Sequence, residues 1–217
     1  MTKNLTVPPG NSGGTFLNFP LVANLDELQA DFVIPGIPYG TPYDAASMAN
    51  DQSTAPDVIR QTPTMADIEY TKNHFDWDLG GPLFAGKDIR VVDSGNVNAD
   101  AADHKAHYRD AQLAARKIFF SGAILISLGG DHGIPIPVMR ALEVLGEPIT
   151  LVHVDAHLDW RHEVNGEKEG YSSPIRRASE MPWIKDIIQI GLRGIGSARE
   201  GEVEAARAYG ADLISAY

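Results

Sequence analysis

Residues 151–160 read LVHVDAHLDW, an apolar run that ends in Asp155, His157 and Asp159 at i, i+2 and i+4. In an extended segment alternate side chains project from one face, so this spacing sends all three groups toward a common point. A second apolar run, AILISL at 123–128, leads into GGDHG. There Gly129 and Gly130 permit a tight turn, and His132 emerges beyond it. Open α/β sheets form ligand sites beyond the carboxyl ends of their strands. Consecutive strands usually lie side by side, which would bring His132 to the same rim as the Asp-His-Asp set. Carboxylates and imidazoles packed so closely repel and desolvate one another unless a cation sits among them. With oxygen and imidazole donors and no sulfur, the set favours Mn²⁺ or a similar hard ion over structural zinc. Two such ions sharing a carboxylate would suit hydrolysis at neutral pH. His153, which shares the parity of Asp155, is expected to pack behind the ligands. Asp131 is expected to orient the backbone or His132.

Taken singly, each pattern has a plainer reading. DAHLD can be a strand terminus whose aspartates cap the next turn, and GGDH can be a glycine turn carrying a solvated histidine. It is their joint occurrence, each at a strand end, that points to a metal.

Rigid elements must stand behind such groups. DFVIPGI (31–37), IRVVDSG (89–95), AILISLGG (123–130), ITLVHVDAH (149–157) and IIQIGLRG (187–194) read as strands, apolar without alternation. Between them, residues 101–120 and 134–146 have helical spacing and length. Prolines lie only in the first turn of the second, and Gly146 follows its end. Ser173 before Pro174 reads as an N-cap, and SARE (197–200) as a capping box opening a helix over 198–209. Non-alternating strands joined by helices imply a mostly parallel sheet covered on both faces. Residues 1–20 read as an irregular arm, and 41–88 as long loops with a short helix around Val58–Arg60. There is no repeat, low-complexity tract or composition shift, so residues 1–217 read as a single α/β domain. The chain stops at ADLISAY as a strand-like segment begins, which creates the expectation of a truncated chain whose domain lacks its C-terminal part.

Composition narrows the partners. Eighteen basic against 29 acidic residues give a formal charge of −11, which argues against nucleic acid. The absence of cysteine removes disulfides, thiolate metal sites and a cysteine nucleophile. The N-terminus has no apolar signal core, and the longest apolar run is too short to span a bilayer. A soluble cytoplasmic protein without a membrane partner is expected.

LGGDHG (128–133) together with VHVDAHLDW (152–160) resembles the first two metal signatures of the ureohydrolases, the arginase and agmatinase family. VIPGIPYG (33–40) with APDVIR (55–60) resembles the N-terminal part of agmatinase-like members, and VVDSGNV (91–97) and IIQIGLRG fall where the family has similar segments. The resemblance runs from about residue 30 to the end. It implies a three-layer α/β/α sandwich with a mostly parallel sheet, and a binuclear site with two Mn²⁺ per complete subunit. In the implied reaction a metal-activated hydroxide attacks the guanidinium carbon of a small guanidino substrate and releases urea and an amine. By position, His132, Asp155 and Asp159 would hold one metal and His157 the other, with Asp155 bridging. A homo-oligomer, trimer or hexamer, is implied by the same analogy.

Two departures stand out. The family's third signature supplies two further ligand aspartates from a later strand, beyond the last residue here, and DWD (76–78) is no substitute. Many members also carry a proton-shuttling histidine where GYSSPIRRAS (170–179) places Tyr171. A phenol with a pKa near 10 shuttles protons poorly at neutral pH, which leaves His162 in the same loop as the alternative. Arg161, two residues past Asp159, would clamp a substrate carboxylate and favour a guanidino acid over agmatine. Its competing role is an ion pair to Glu163 or another loop carboxylate. Two other readings of the chain stand beside the ureohydrolase. One is a metal-dependent deacetylase of the related fold, against which GGDH argues; the other is a metal-binding paralogue without catalysis.

Overall fold

The structure, a computed structural model, describes residues 4–10, 14–44, 51–100 and 103–217. Its first sheet is built around β2 (Phe32–Ile37), in which Val33 to Ile37 are all buried. On one side β2 pairs in parallel with β3 (Val91–Val97), itself buried throughout. The N-terminal arm is not wholly irregular, since β1 (Thr6–Val7) adds antiparallel to β3. The single strand expected over 123–130 is split. β4 (Ile124–Leu125) and β5 (Leu128–Gly129) each pair in parallel with the other side of β2, two residues apart in sequence.

The second sheet is entirely parallel: β6 (Ile149–Val154), β7 (Ile184–Leu192) and β8 (Asp212–Ser215), in the order β6-β7-β8. Among the described residues no strand pairing joins the two sheets. The sequence expectation that the GGDHG and DAHLD strands are neighbours is therefore corrected. The two strands that deliver the site belong to different sheets, and contact between them is made by side chains and loops.

Helices cover these sheets where the sequence has apolar stripes. α3 (His104–Phe120) starts at Asp103, whose carboxylate accepts the Ala106 N–H at 2.9 Å. Its first two expected residues, 101 and 102, lie outside the described residues. Ala111, Ala114, Ala115 and Ile118 fall at helical spacing and are buried, Ala111, Ala114 and Ile118 within the core of the first sheet. α4 (Pro135–Ala141) is shorter than expected and tightens into a 3₁₀ turn, Leu142–Leu145, before Gly146 closes it at φ +68°. α5 (Pro174–Ala178) starts with Pro174 at its first turn, but the Ser173 hydroxyl makes no capping bond. α6 (Glu200–Tyr209) opens two residues later than SARE suggested. Here Glu202, not Glu200, closes the cap by accepting the Arg199 N–H at 2.9 Å. Ile136, Leu158, Trp160, Ile175 and Ile187 form the core of this half.

Residues 51–88 are more ordered than their prolines suggest. α1 (Ala55–Gln61) takes Pro56 in its first turn, and α2 (Met65–Asn73) begins at a Thr64–Asp67 capping box. Arg60 of α1 is buried against Asp93 of β3, with Nε–Oδ2 at 2.8 Å and Nη2–Oδ1 at 3.0 Å.

Candidate metal centre

The GGDHG turn follows β5 directly. A Cβ on Gly130 would stand 2.5 Å from the Pro38 carbonyl oxygen and 2.7 Å from that of Ile37, so only glycine lets the chain pass β2 this closely. Asp131 then braces the turn. Its Oδ2 accepts the Gly40 N–H at 3.1 Å and its Oδ1 the Gly133 N–H at 2.6 Å. Burial nevertheless raises its carboxyl above the ordinary value, against those two bonds. Of its two expected roles, Asp131 takes the backbone one, and His132 is left to face the second sheet.

The DAHLD segment reaches the site by a different route from the one its spacing suggested. β6 ends at Val154, and the chain beyond Asp155 is a loop. The Asp155 N–H still donates to Ile190 O at 3.0 Å, after which the backbone turns until Asp159 adopts φ +49°. This left-handed conformation is sterically costly, and aspartate tolerates it better than most residues. The turn folds the Asp159 carboxylate back toward the strand end and sends His157 outward.

Four side chains meet there: His132, His153, Asp155 and Asp159 each offer an atom within 4.8 Å of the others. His132 Nδ1 lies 2.8 Å from Asp159 Oδ2 and 3.7 Å from Asp155 Oδ2. His153 Nε2 is 3.9 Å from Asp155 Oδ2 and 3.8 Å from Asp159 Oδ2, and its ring stacks on that of His132 at 5.3 Å. His157, its side chain 63% exposed, stands on the outer side of Asp155 with Nδ1 3.1 Å from Oδ1. The two oxygens of Asp155 thus face different imidazoles.

The electrostatics follow from this crowding. Asp159 is the main cause that holds the His132 imidazole above its ordinary value, against burial. Burial opposes the charge on Asp155. The His157 N–H at 2.7 Å and the nearby imidazoles outweigh it, and the carboxyl stays below the usual range. His153 is pushed down by burial and by His132.

Sequence reasoning missed Gln189, a fully buried amide in the middle of β7. Its Nε2 donates to Leu158 O at 2.8 Å and lies 3.0 Å from His153 Nδ1. A donor at Nδ1 leaves the His153 proton on Nε2, aimed at the carboxylates. His153 is then suited to orienting Asp155 and Asp159 and not to ligating a metal. The only sequence signal was a lone amide inside an apolar strand.

A cavity of about 420 Å³ opens over the cluster and is lined also by His157, Arg161, Tyr171 and Glu202. Tyr171 packs against Tyr43 with ring centroids 4.6 Å apart, and Tyr43 Oη accepts the Ser172 N–H at 2.9 Å. Arg161 is paired, but with Glu202 (2.6 Å) and not with Glu163. His162 does not line this cavity; its Nδ1 is 3.5 Å from Arg177 Nη2. A larger cavity of about 740 Å³, between Leu25–Leu28 and α3, contains none of these groups.

The donor set passes a direct test of fit to a cation. Asp159 Oδ2 is buried without an aligned hydrogen bond, although His132 Nδ1 lies 2.8 Å away, and it points into a cluster of carboxylates and imidazoles. A divalent ion satisfies such a set where hydrogen bonds do not.

An α/β fold with this carboxylate–imidazole centre at the carboxyl ends of parallel strands defines a class of metal-dependent proteins. Residues 30–217 match the arginase family, and the chain belongs to that family of binuclear metal enzymes. It is 31% identical over 213 residues to guanidinobutyrase from Pseudomonas aeruginosa, covering 92% of this chain and 62% of that one. To the mitochondrial agmatinase of Gallus gallus it is 30% identical over 182 residues, covering 83% and 50%. Proclavaminate amidino hydrolase from Streptomyces clavuligerus shares the fold, with a TM-score of 0.73 at 24% identity over 99% of this chain and 66% of that one. The chain thus spans about half to two thirds of the length of these relatives. Among the described residues no helix is long and apolar enough to cross a membrane.

Proposed function

We propose that this chain carries the metal-binding half of a hydrolase that cleaves linear guanidino compounds to urea and an amine. The observation that carries the reading is the cluster of His132, Asp155 and Asp159 lining one cavity, with His153 within 4.8 Å of them. It is supported by family membership and by relatives named as guanidinobutyrase and agmatinase.

His132, Asp155 and Asp159 would hold one Mn²⁺, and His157 with Asp155 a second; the two Asp155 oxygens face different imidazoles. When bound, the metal pair supplies a nucleophile from water at neutral pH. The protein's own residues then position and balance charge. Gln189 fixes the His153 tautomer, and His153 steadies the two carboxylates from behind. Tyr171, half exposed at the cavity lining, orients the substrate and carries no obligatory proton. Arg161 is engaged by Glu202, so the pair acts as a fixed polar wall and not as a free carboxylate clamp. Tail recognition therefore admits agmatine as well as guanidino acids.

Four of the six ligands implied by the family pattern lie within residues 1–217. Titration of this chain with Mn²⁺ is expected to show one ion per chain, lost in Asp159→Asn. Urea release from agmatine or 4-guanidinobutyrate is expected only from a longer form that adds the two later aspartates. Full turnover by residues 1–217 alone, or Mn²⁺ binding indifferent to Asp159→Asn, would overturn the assignment. In the longer form Tyr171→Phe should lower turnover only modestly; complete loss with metal content unchanged would make the phenol an obligatory proton carrier.

A further inference from the structure

A second polar cavity, of about 450 Å³, lies away from the metal cluster between the first turns of α3, Arg140 of α4 and the hairpin that ends at Glu169. Four cations line it, Lys105, Arg109, Arg140 and Lys168, against two carboxylates, Glu167 and Glu169. Both carboxylates are already used. Glu169 pairs with Arg140, and Glu167 Oε1 accepts the Glu169 N–H at 2.8 Å. Lys105, Arg109 and Lys168 have no carboxylate within ion-pair distance among the described residues. Lys105 and Arg109 stand at i and i+4 on α3, where like charges repel across one helical turn. In a protein of formal charge −11, a surface that gathers free cations in one concavity needs a reason.

An independent observation points the same way. Tyr108 forms part of the wall and is 7% exposed, and its hydroxyl is buried with no hydrogen-bond partner. A buried hydroxyl without a partner costs free energy, which a small shift of the ring toward an acceptor in the cavity would recover. The α3 N-terminus, a turn away, adds the positive end of a 17-residue helix dipole.

We propose that this cavity binds a small phosphate-bearing anion. Arg109 would supply the planar fork, Lys105 and Lys168 the point charges, and Tyr108 a neutral donor. A cavity this size exceeds a bare phosphate and is in the range of small-molecule sites, which favours a phosphate ester over the free ion.

The test is calorimetric titration with inorganic phosphate, glycerol 3-phosphate and AMP, each in turn. One site per chain is expected, with an ester binding more tightly than inorganic phosphate. The double variant Lys105→Gln/Arg109→Gln should weaken binding by roughly tenfold or more. Because both side chains are exposed, its melting temperature without ligand should be unchanged or slightly raised. Tyr108→Phe should weaken binding severalfold while keeping the ring in place. Equal affinities across these variants would assign the anion to the metal centre and overturn the proposal. Absence of binding at millimolar phosphate, with a change of sedimentation in the double variant, would make the cavity an interface to acidic groups of a second copy and would equally overturn it.

Discussion

Gln189 and His107 show how single buried polar groups set this molecule's behaviour. Gln189→Leu nearly conserves volume but leaves the Leu158 carbonyl and His153 Nδ1 without their donor. A loss of about 1–3 kcal/mol in stability is expected, read by chemical denaturation. Mn²⁺ affinity should fall by roughly 10–100-fold, as for other groups that orient metal ligands. His107 is 2% exposed, with Nδ1 2.7 Å from Asn98 O and Nε2 3.1 Å from Tyr39 O. Burial depresses its pKa despite those carbonyls. The unfolded chain therefore takes up this proton at higher pH than the folded one. The associated stability is present above the unfolded value of about 6.5 and is lost as pH falls through the folded value. His107→Gln should flatten the fall in melting temperature below neutral pH, and an unchanged profile would show that other groups dominate it. The ligand types and the strand-end position of the candidate site were legible because clustered aspartate and histidine are rarely idle. The exposed position of His157 was not, since β6 ends at Val154 and the Asp155 carboxylate accepts the His157 N–H, a turn that the period-two spacing does not encode.

At the scale of elements, Arg60 ties α1 to the carboxyl half of β3 through two bonds to Asp93, one to Asn96 Oδ1 at 2.6 Å and one to Gly95 O at 3.1 Å. Arg60→Met leaves the buried Asp93 carboxyl short of its main counter-charge. The Phe16 and Gly95 N–H groups still donate to it, at 2.8 Å each. The cost should lie near the lower end of the range for breaking a buried pair, about 3 kcal/mol by urea denaturation. A loss under about 1 kcal/mol would show that the backbone donors suffice. Gly36 faces the same knot, where a Cβ would stand 2.0 Å from Asn96 Oδ1 and 2.8 Å from Pro56 Cβ. The long strands and α3 were legible from apolar runs and 3.6-residue spacing. α1 was legible only in part, as the short helix around Val58–Arg60, and α2, which contains no proline, was obscured by weak apolar spacing. They hold through a buried ion pair and a Thr64–Asp67 cap, which hydrophobic pattern does not report.

Across the whole molecule, the candidate metal centre takes His132 from the loop after β5, His153 from β6, and Asp155 and Asp159 from the loop that follows it, so it bridges two sheets that share no ladder. Val152, Val154, Ile190 and Ile214 lie on one face of β6–β8 and are 55%, 75%, 37% and 48% exposed. Parity explains the pairing: Val154 is in register with Ile190, and Ile190 with Ile214. The opposite face, with Leu151, Ile187 and Leu213, packs into the core under α6. Ile124 of β4 is also 56% exposed. An open apolar face beside unpaired strand edges drives association in water. Residues 1–217 expressed alone should therefore self-associate and bind a hydrophobic dye. The double variant Val154→Lys/Ile214→Lys should shift the sedimentation distribution toward monomer and reduce dye binding. It removes no core contact, so its far-ultraviolet circular dichroism should match that of the parent chain. A monodisperse, dye-silent parent would show that this face is not sticky in solution and that its exposed side chains are screened by some rearrangement of the sheet.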